Sequence, residues 1–239
     1  MKKVAIIIAG GVGARMEQSI PKQFLNVGEK PIIIYTLEAF QRHPNIDSII
    51  VVCLDGWHEI LKSYAKQFNI TKLESVVSGG ENGQGSIKNG LDEAKRLGYK
   101  KNDIVLIHDA IRPMVDNETL SANIATAEKY GNATVVVPVT TVVLKKGRHE
   151  EYSEKVVNRD GLYLTQTPQS FKLGEILSAH KEAKEKGITN SVASCDLYTK
   201  LGRKVYYSPG SETNIKLTRP GDILIFKALL NTKKPDWMS

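Results

Sequence analysis

Two cations, Arg15 and Lys22, stand seven positions apart just beyond an apolar run that ends in glycines. The run is Val4-Ala5-Ile6-Ile7-Ile8-Ala9, the glycines are Gly10, Gly11 and Gly13, and Pro21-Lys22-Gln23-Phe24 closes the stretch. Glycine lets a backbone turn sharply and approach a ligand with no Cβ in the way. At the carboxyl edge of a parallel sheet, the free amides of such a turn form a cradle for anions. Arg15 and Lys22 would add positive charge where a polyphosphate lies. The chemistry implied is nucleotide binding; the plainer alternative is a tight strand-to-helix turn. The loop lacks G-x-x-x-x-G-K-[ST], so it is not a Walker A loop. Met16 occupies the third glycine position of the dinucleotide fingerprint, and no acid closes the second strand, which disfavours a dehydrogenase.

A cradle of this kind needs a sheet behind it. Short apolar runs alternate with amphipathic helical stretches, the pattern of a mostly parallel, twisted α/β sheet flanked by helices. Val4 to Ile8 reads as a strand buried on both faces. Pro31 opens a helix with Ile32, Ile33, Thr36, Leu37 and Phe40 on one face. Ser48 to Cys53 reads as a strand, His58 to Phe68 as a helix burying Ile60, Leu61, Tyr64 and Phe68, and Ser75 to Val77 as a short strand. A helix starting at Ser86, a strand from Ile104 to Ile107, a helix from Asn117 to Tyr130 and a strand from Ala133 to Val139 follow. From Thr140 to Leu164 the pattern changes to a two-stranded arm, and a hairpin of that size must lie on something, a partner subunit or its own domain. Gly174 to Lys186 reads as a helix and Lys204 to Ser208 as a strand. Thr213 to Leu217 is extended, and Thr218-Arg219-Pro220-Gly221-Asp222 caps a last helix through Leu230. No linker or repeat interrupts the chain, so 1–239 is expected to form a single domain with the arm at about 140–164.

The 239 residues carry a formal net charge of +7, enough to favour anionic substrates. A nucleic-acid module is a weaker expectation, because the lysines are scattered and no aromatic-rich stripe accompanies them. Cys53 and Cys195 are the only cysteines and have no metal-ligand spacing. The sequence shows no signal peptide and no membrane span, so a cytoplasmic protein with reduced thiols, not attached to a membrane, is expected.

Ala9-Gly10-Gly11-x-Gly13-x-Arg15-Met16 followed by Pro21-Lys22-Gln23-Phe24-Leu25 resembles the signature of nucleotidylyltransferases that make activated sugars and polyols. The nearest resemblance is to the cytidylyltransferase family that contains the methylerythritol-phosphate and ribitol-5-phosphate enzymes. Further matches come in family order: Gly79-Gly80 with Ser86-Ile87-Lys88-Asn89-Gly90, His108-Asp109-Ala110-x-Arg112-Pro113, Asn158-Arg159-Asp160-Gly161-Leu162, Gln166-Thr167-Pro168-Gln169 and Asn214-Ile215-Lys216-Leu217-Thr218.

The resemblance implies a Rossmann-like nucleotidyltransferase fold with a protruding β-arm. It implies attack by the phosphate of a polyol phosphate on the α-phosphorus of CTP, with release of pyrophosphate. An anionic nucleophile needs no strong base, so positioning and charge neutralisation carry the catalysis. On this reading Arg15, Lys22 and Lys216 are catalytic. Ala9, Gly10, Gly11, Gly13, Gly80 and Ser86 bind the nucleotide, and Asp109, Ala110, Arg112, Arg159 and Lys216 bind the acceptor. Asp109 holds Mg²⁺ or the acceptor's hydroxyls. In the family the arginine matched by Arg159 reaches the substrate phosphate of the neighbouring subunit, which implies a homodimer formed through the arm.

Departures from the family pattern touch the acceptor side more than the CTP side. Gly83 or Gln84 stands where the family often has arginine, and Thr141-Val142 replaces an expected Asp-Thr pair. A Thr-Asp pair expected before the C-terminal strand is altered in Thr189-Asn190-Ser191-Val192, with Asp196 as a shifted replacement or an exposed helix acid. These changes favour ribitol 5-phosphate or a related alditol phosphate, whose CDP derivatives feed teichoic acids or capsules. The alternative acceptor is 2-C-methyl-D-erythritol 4-phosphate, which feeds isoprenoids. A UTP-dependent nucleotidyltransferase is a further alternative.

Overall fold

The structure, a computed structural model, describes residues 1–11, 20–147 and 151–232. In chain order it runs β1 (Lys3–Ala9), a 3-10 turn (Lys22–Phe24), β2 (Asn26–Val27), β3 (Lys30–Pro31), α1 (Ile32–Arg42), β4 (Ser48–Cys53), α2 (His58–Gln67), β5 (Leu73–Ser78) and α3 (Gly83–Arg96). It continues through β6 (Ile104–Asp109), α4 (Asn117–Tyr130), β7 (Asn132–Pro138), β8 (Val143–Lys145), β9 (Lys155–Val157) and β10 (Tyr163–Lys172). The last elements are α5 (Leu173–Glu185), α6 (Ser194–Lys200), β11 (Tyr207–Pro209) and α7 (Pro220–Asn231).

Seven strands form the main sheet in the order β11-β7-β10-β6-β1-β4-β5. Side chains alternate across a strand, so the uninterrupted apolar run of β1 feeds two cores. Ala5, Ile7 and Ala9 pack with α1, α2 and α4 on one face, and Val4 and Ile6 with α3, α5 and α6 on the other. Strands β6, β1, β4 and β5 are parallel neighbours, and β11 is parallel to β7. The chain leaves β1 toward β4 and later returns to β6 on its other side, so the crevice beyond the carboxyl ends of β1 and β6 is a topological switch point. Helix α3 approaches that crevice closely because Gly90 has no side chain. A Cβ there would lie 2.5 Å from Ile6 Cγ2 and 2.9 Å from Val52 Cγ2.

The expected mostly parallel α/β sheet is present, with one substantial addition. β10 lies between β7 and β6 and runs antiparallel to both. The proline in Gln166-Thr167-Pro168-Gln169 hides this strand from pattern reading. In the fold the Thr167–Pro168 peptide is cis, and the ladder to β7 shifts register between Thr165 and Gln169. The arm is therefore shorter than the sequence suggests. β8 and β9 pair with each other as a separate two-stranded sheet, whereas Tyr163 and Leu164 belong to β10. Other boundaries move too. α3 begins at Gly83 rather than Ser86, because Asn82 Oδ1 accepts the Gly85 amide at 2.9 Å and caps the helix earlier. β5 is longer than expected, β11 begins only at Tyr207, α6 is an additional short helix, and Thr213–Leu217 forms no strand. Ile60 is on the outer side of α2, 40% exposed, and Leu61 and Ala65 are the residues that helix buries.

Candidate active site

The glycine turn leaves β1 with its backbone held from below. Gln23, 1% exposed, donates its amide to the carbonyls of Ala9 at 2.7 Å and Gly11 at 3.1 Å. The 3-10 turn that carries Gln23 also carries Lys22, and Phe24 on the same turn stacks on Trp57 at 4.5 Å. Gly10 meets a second glycine turn at the end of β5: an added Cβ would sit 3.6 Å from Gly79 Cα and from Ser86 Oγ. The Gly80 amide donates to Ser86 Oγ at 3.0 Å. Gly80 tolerates no side chain, since a Cβ would lie 2.5 Å from the Gly85 carbonyl carbon. Ala9, Gly10, Gly11, Gly80 and Ser86 thus form one wall at the switch point. Gly13 and Arg15, with Met16, lie outside the described residues.

At the end of the neighbouring strand stands an acid between two cations. Asp109 ends β6, and its Oδ2 is 3.0 Å from Lys216 Nζ and 3.2 Å from Arg112 Nε. Arg112 Nη1 donates to the Asn214 carbonyl at 2.8 Å, and the Leu217 amide donates to the Ile111 carbonyl at 2.9 Å. These bonds hold the segment around Lys216 against the loop after β6. Asn214 Nδ2 reaches the Thr167 carbonyl at 2.9 Å, and the Asp109 amide donates to Thr167 Oγ1 at 3.1 Å. Three motifs far apart in sequence therefore share one hydrogen-bonded cluster. Burial pushes the Asp109 pKa up, and the Lys216 and Arg112 charges more than reverse it, so the carboxyl titrates below its ordinary range. The carboxylate is ionised at neutral pH.

His108, fully buried, is pushed down to about 4 by desolvation and stands neutral behind the cluster. Its Nε2 lies 3.1 Å from the Arg112 carbonyl and its ring 5.0 Å from that of Phe40. Its contact with the Arg112 carbonyl shapes the loop after β6.

A cleft of about 370 Å³ joins the cluster to a wall of hydroxyl and amide groups. Asp109, Arg112 and Lys216 line it with Thr165, Gln166, Thr167 and Gln169 of β10. Gly83, His108, residues 191–194 and the apolar Ile8, Ile87 and Ile107 complete the lining. Ala110 lies behind the cleft: it is buried, its amide donates to the Ile8 carbonyl at 3.0 Å and its own carbonyl accepts from Thr36 Oγ1 at 2.8 Å. Arg159 is exposed at the base of the arm, where Nη1 donates to the Thr140 carbonyl, and it does not line the cleft of its own chain. Thr141 and Val142 are exposed beside it, as is Asn190 in the loop before α6. Asp196 accepts from the Val192 amide at 3.1 Å and pairs with Lys200 at 2.7 Å, so it braces the loop from outside the cleft lining.

Pattern reading misses the structural roles of Gln23, Gln84 and Ser191. A buried glutamine whose amide binds backbone carbonyls has no periodic signature; for Gln23 the only signal is its place beside Lys22 in the closing motif.

Residues 3–232 match the family model described as 2-C-methyl-D-erythritol 4-phosphate cytidylyltransferase (IspD). The chain is 43% identical over 233 residues to the ribitol-5-phosphate cytidylyltransferase of Vibrio parahaemolyticus serotype O3:K6, covering 97% of each. It is 40% identical over 230 residues to the 2-C-methyl-D-erythritol 4-phosphate cytidylyltransferase of Clostridium acetobutylicum, covering 95% of this chain and 96% of the relative. Among solved structures, the 2-C-methyl-D-erythritol 4-phosphate cytidylyltransferase of Thermus thermophilus superposes with a TM-score of 0.78 at 27% identity, covering 97% of this chain and 100% of that one. Glycine turns after β1 and β5 beside an ionised Asp-Arg-Lys cluster after β6, on a chain matched almost from end to end, identify it as a cytidylyltransferase belonging to this family.

Proposed function

We propose that the enzyme transfers CMP from CTP to the phosphate of ribitol 5-phosphate or a closely related alditol phosphate. The observation that carries this acceptor is the set of neutral hydroxyl and amide side chains, Thr165, Gln166, Thr167, Gln169, Ser191 and Ser194, that shares the cleft with Asp109, Arg112 and Lys216 and with a few apolar residues. Ribitol 5-phosphate offers such a wall one hydroxyl more than methylerythritol phosphate and no branching methyl group. The 43% identity to a ribitol-5-phosphate enzyme supports the same choice.

In the proposed reaction an acceptor phosphate oxygen attacks the α-phosphorus of CTP. A new phosphorus–oxygen bond forms, the bond to the bridging oxygen of the β-phosphate breaks, and pyrophosphate leaves with its electron pair. The backbone of Ala9 to Gly11, Gly80 and Ser86 seats the cytidine. Lys22 and Arg15 offset charge on the triphosphate and the leaving group, while Lys216 and Arg112 hold the acceptor phosphate in line.

Magnesium fits as a companion of the nucleotide rather than as a protein-built centre. Among the described residues no three His, Cys, Asp or Glu side chains gather, and Asp109 is the one carboxylate at the cluster. Mg²⁺ is commonly held by one or two carboxylates together with substrate phosphates and water, and Asp109 would supply that one ligand. When bound, the ion would neutralise phosphate charge.

A homodimer completes the reading. Leu144 and Val156 of the arm are exposed, and Arg159 at its base lies outside the cleft of its own chain. A second copy would cover the first two and receive the third. Among the described residues no helix is long and apolar enough to cross a membrane.

Incubation with CTP and ribitol 5-phosphate should release pyrophosphate and CDP-ribitol in equal amounts, with neither formed when the acceptor is omitted and little when UTP replaces CTP. Pyrophosphate without a cytidylylated product, or equal use of UTP, would refute the assignment.

A further inference from the structure

Between α5 and α6 the chain forms neither helix nor strand, yet residues 191–193 line the cleft. Backbone without regular structure must find its hydrogen bonds elsewhere. Here they come from the start of α3. Gln84 Nε2 donates to the Ile188 carbonyl at 2.8 Å, and its Oε1 accepts the Ser191 amide at 2.8 Å. Asn82 Nδ2 donates to the Thr189 carbonyl at 3.2 Å while its Oδ1 caps the helix. Behind the loop, the half-buried Gln84 shares the lining of a small gap with Ile87, His180 and Leu197. Ser191 is 5% exposed, and its Oγ has no hydrogen-bond partner although the residue lines the cleft. A buried hydroxyl without a partner is costly, and an acceptor hydroxyl would relieve it.

We infer that Gln84 is a positioning residue for the acceptor side of the cleft: its amide fixes residues 188–191 and thereby places Ser191. The inference rests on the proposed reading only in assigning that side to the acceptor. The first turn of α3 serves both walls, since Ser86, two residues on, holds the Gly80 amide of the nucleotide wall. The helix is seated on β1 and β4 through Gly90, so its first turn is a fixed reference for both. Gln84 itself does not line the cleft, and it acts through the loop. Its two bonds bracket the loop, so losing them lets the acceptor wall move while Ser86 and Gly80 stay in place.

The test compares Gln84→Met, which keeps the length and removes both hydrogen bonds, with Gln84→Ala in the full-length enzyme. The acceptor is whichever polyol phosphate the wild type turns over fastest. A wild-type preference for methylerythritol phosphate would defeat the alditol reading alone and leave this test standing. Both variants should raise the acceptor KM about tenfold and leave the CTP KM within about twofold, as expected for two lost neutral hydrogen bonds. Adding Ser191→Ala to Gln84→Met should raise the acceptor KM little further, because both changes act at one place. An acceptor KM unchanged in both variants would overturn the inference. So would a parallel rise in both KM values, which marks a disturbance of the whole helix, or full additivity with Ser191→Ala.

Discussion

Lys216 and Arg112 meet on a single oxygen of Asp109, and that geometry assigns them different work. Arg112 is also tied to the Asn214 carbonyl, so it meets an acceptor phosphate from a fixed position, whereas the Lys216 side chain is 42% exposed at the cleft and can turn toward that phosphate. Lys216→Ala should lower kcat/KM for the acceptor by about 10²-fold, in the range seen when a preorganised charge is removed, with the CTP KM little changed. Asp109→Asn should raise the acceptor KM as well, because Lys216 then loses the carboxylate that orients it. Steady-state kinetics with each substrate varied in turn checks both; an unchanged acceptor kcat/KM in Lys216→Ala would remove the lysine from the reaction. On the other wall, Gly80→Ala forces a methyl group against the Gly85 backbone at 2.5 Å. Overpacking of this kind costs about 1–3 kcal/mol, so CTP affinity should fall about tenfold or more in a titration of the free enzyme.

At the level of elements, the arm and β10 decide where Arg159 goes. β10 anchors the arm by joining the main sheet, while β8 and β9 pair only with each other. If Arg159 completes the cleft of a second copy, Arg159→Ala and Lys216→Ala are defects in different protomers of one site. Mixing the two inactive variants under conditions of subunit exchange should restore about a quarter of wild-type turnover, because half the dimers are hybrids and each hybrid holds one intact site. No recovery, with hybrid dimers demonstrated by mass, would contradict the shared site.

The elements also show how far sequence alone reaches. β1, β4, α1 and α4 are legible because apolar periodicity and length agree, and α4 runs from Asn117 to Tyr130 as expected. β10 is not, because Pro168 interrupts a central strand and the fold accommodates it with a register shift that no local pattern announces. The glycine wall and the Asp109, Arg112 and Lys216 cluster are legible as motifs. The side chains that join them are not: Gln23, Gln84 and Asn214 act by binding backbone carbonyls far away in sequence, a property of tertiary structure alone.

For the whole molecule, three histidines set the response to acid. Burial lowers the pKa of His43, and takes His108 and His180 down to about 4. Unfolding returns each to its ordinary value near 6.5, so the unfolded chain binds more protons between those limits and stability falls as the pH drops from about 6.5 toward 4. The loss should reach a few kcal/mol by about pH 4, visible as a falling thermal midpoint between pH 7 and 5, where paired carboxylates such as Glu93 are still ionised. His180→Leu should flatten that slope; a midpoint independent of pH in this window would mean these imidazoles are not neutral in the fold.

The whole molecule is read as a cytidylyltransferase whose cleft, with its neutral hydroxyl and amide groups, takes an unbranched polyol phosphate. The most direct measurement is a competition in one vessel, with CTP limiting and ribitol 5-phosphate and 2-C-methyl-D-erythritol 4-phosphate at equal concentration, the two CDP products separated and counted. CDP-ribitol should exceed CDP-methylerythritol by at least about tenfold, the ratio one well-formed hydroxyl contact supplies. A product pool dominated by CDP-methylerythritol would contradict it.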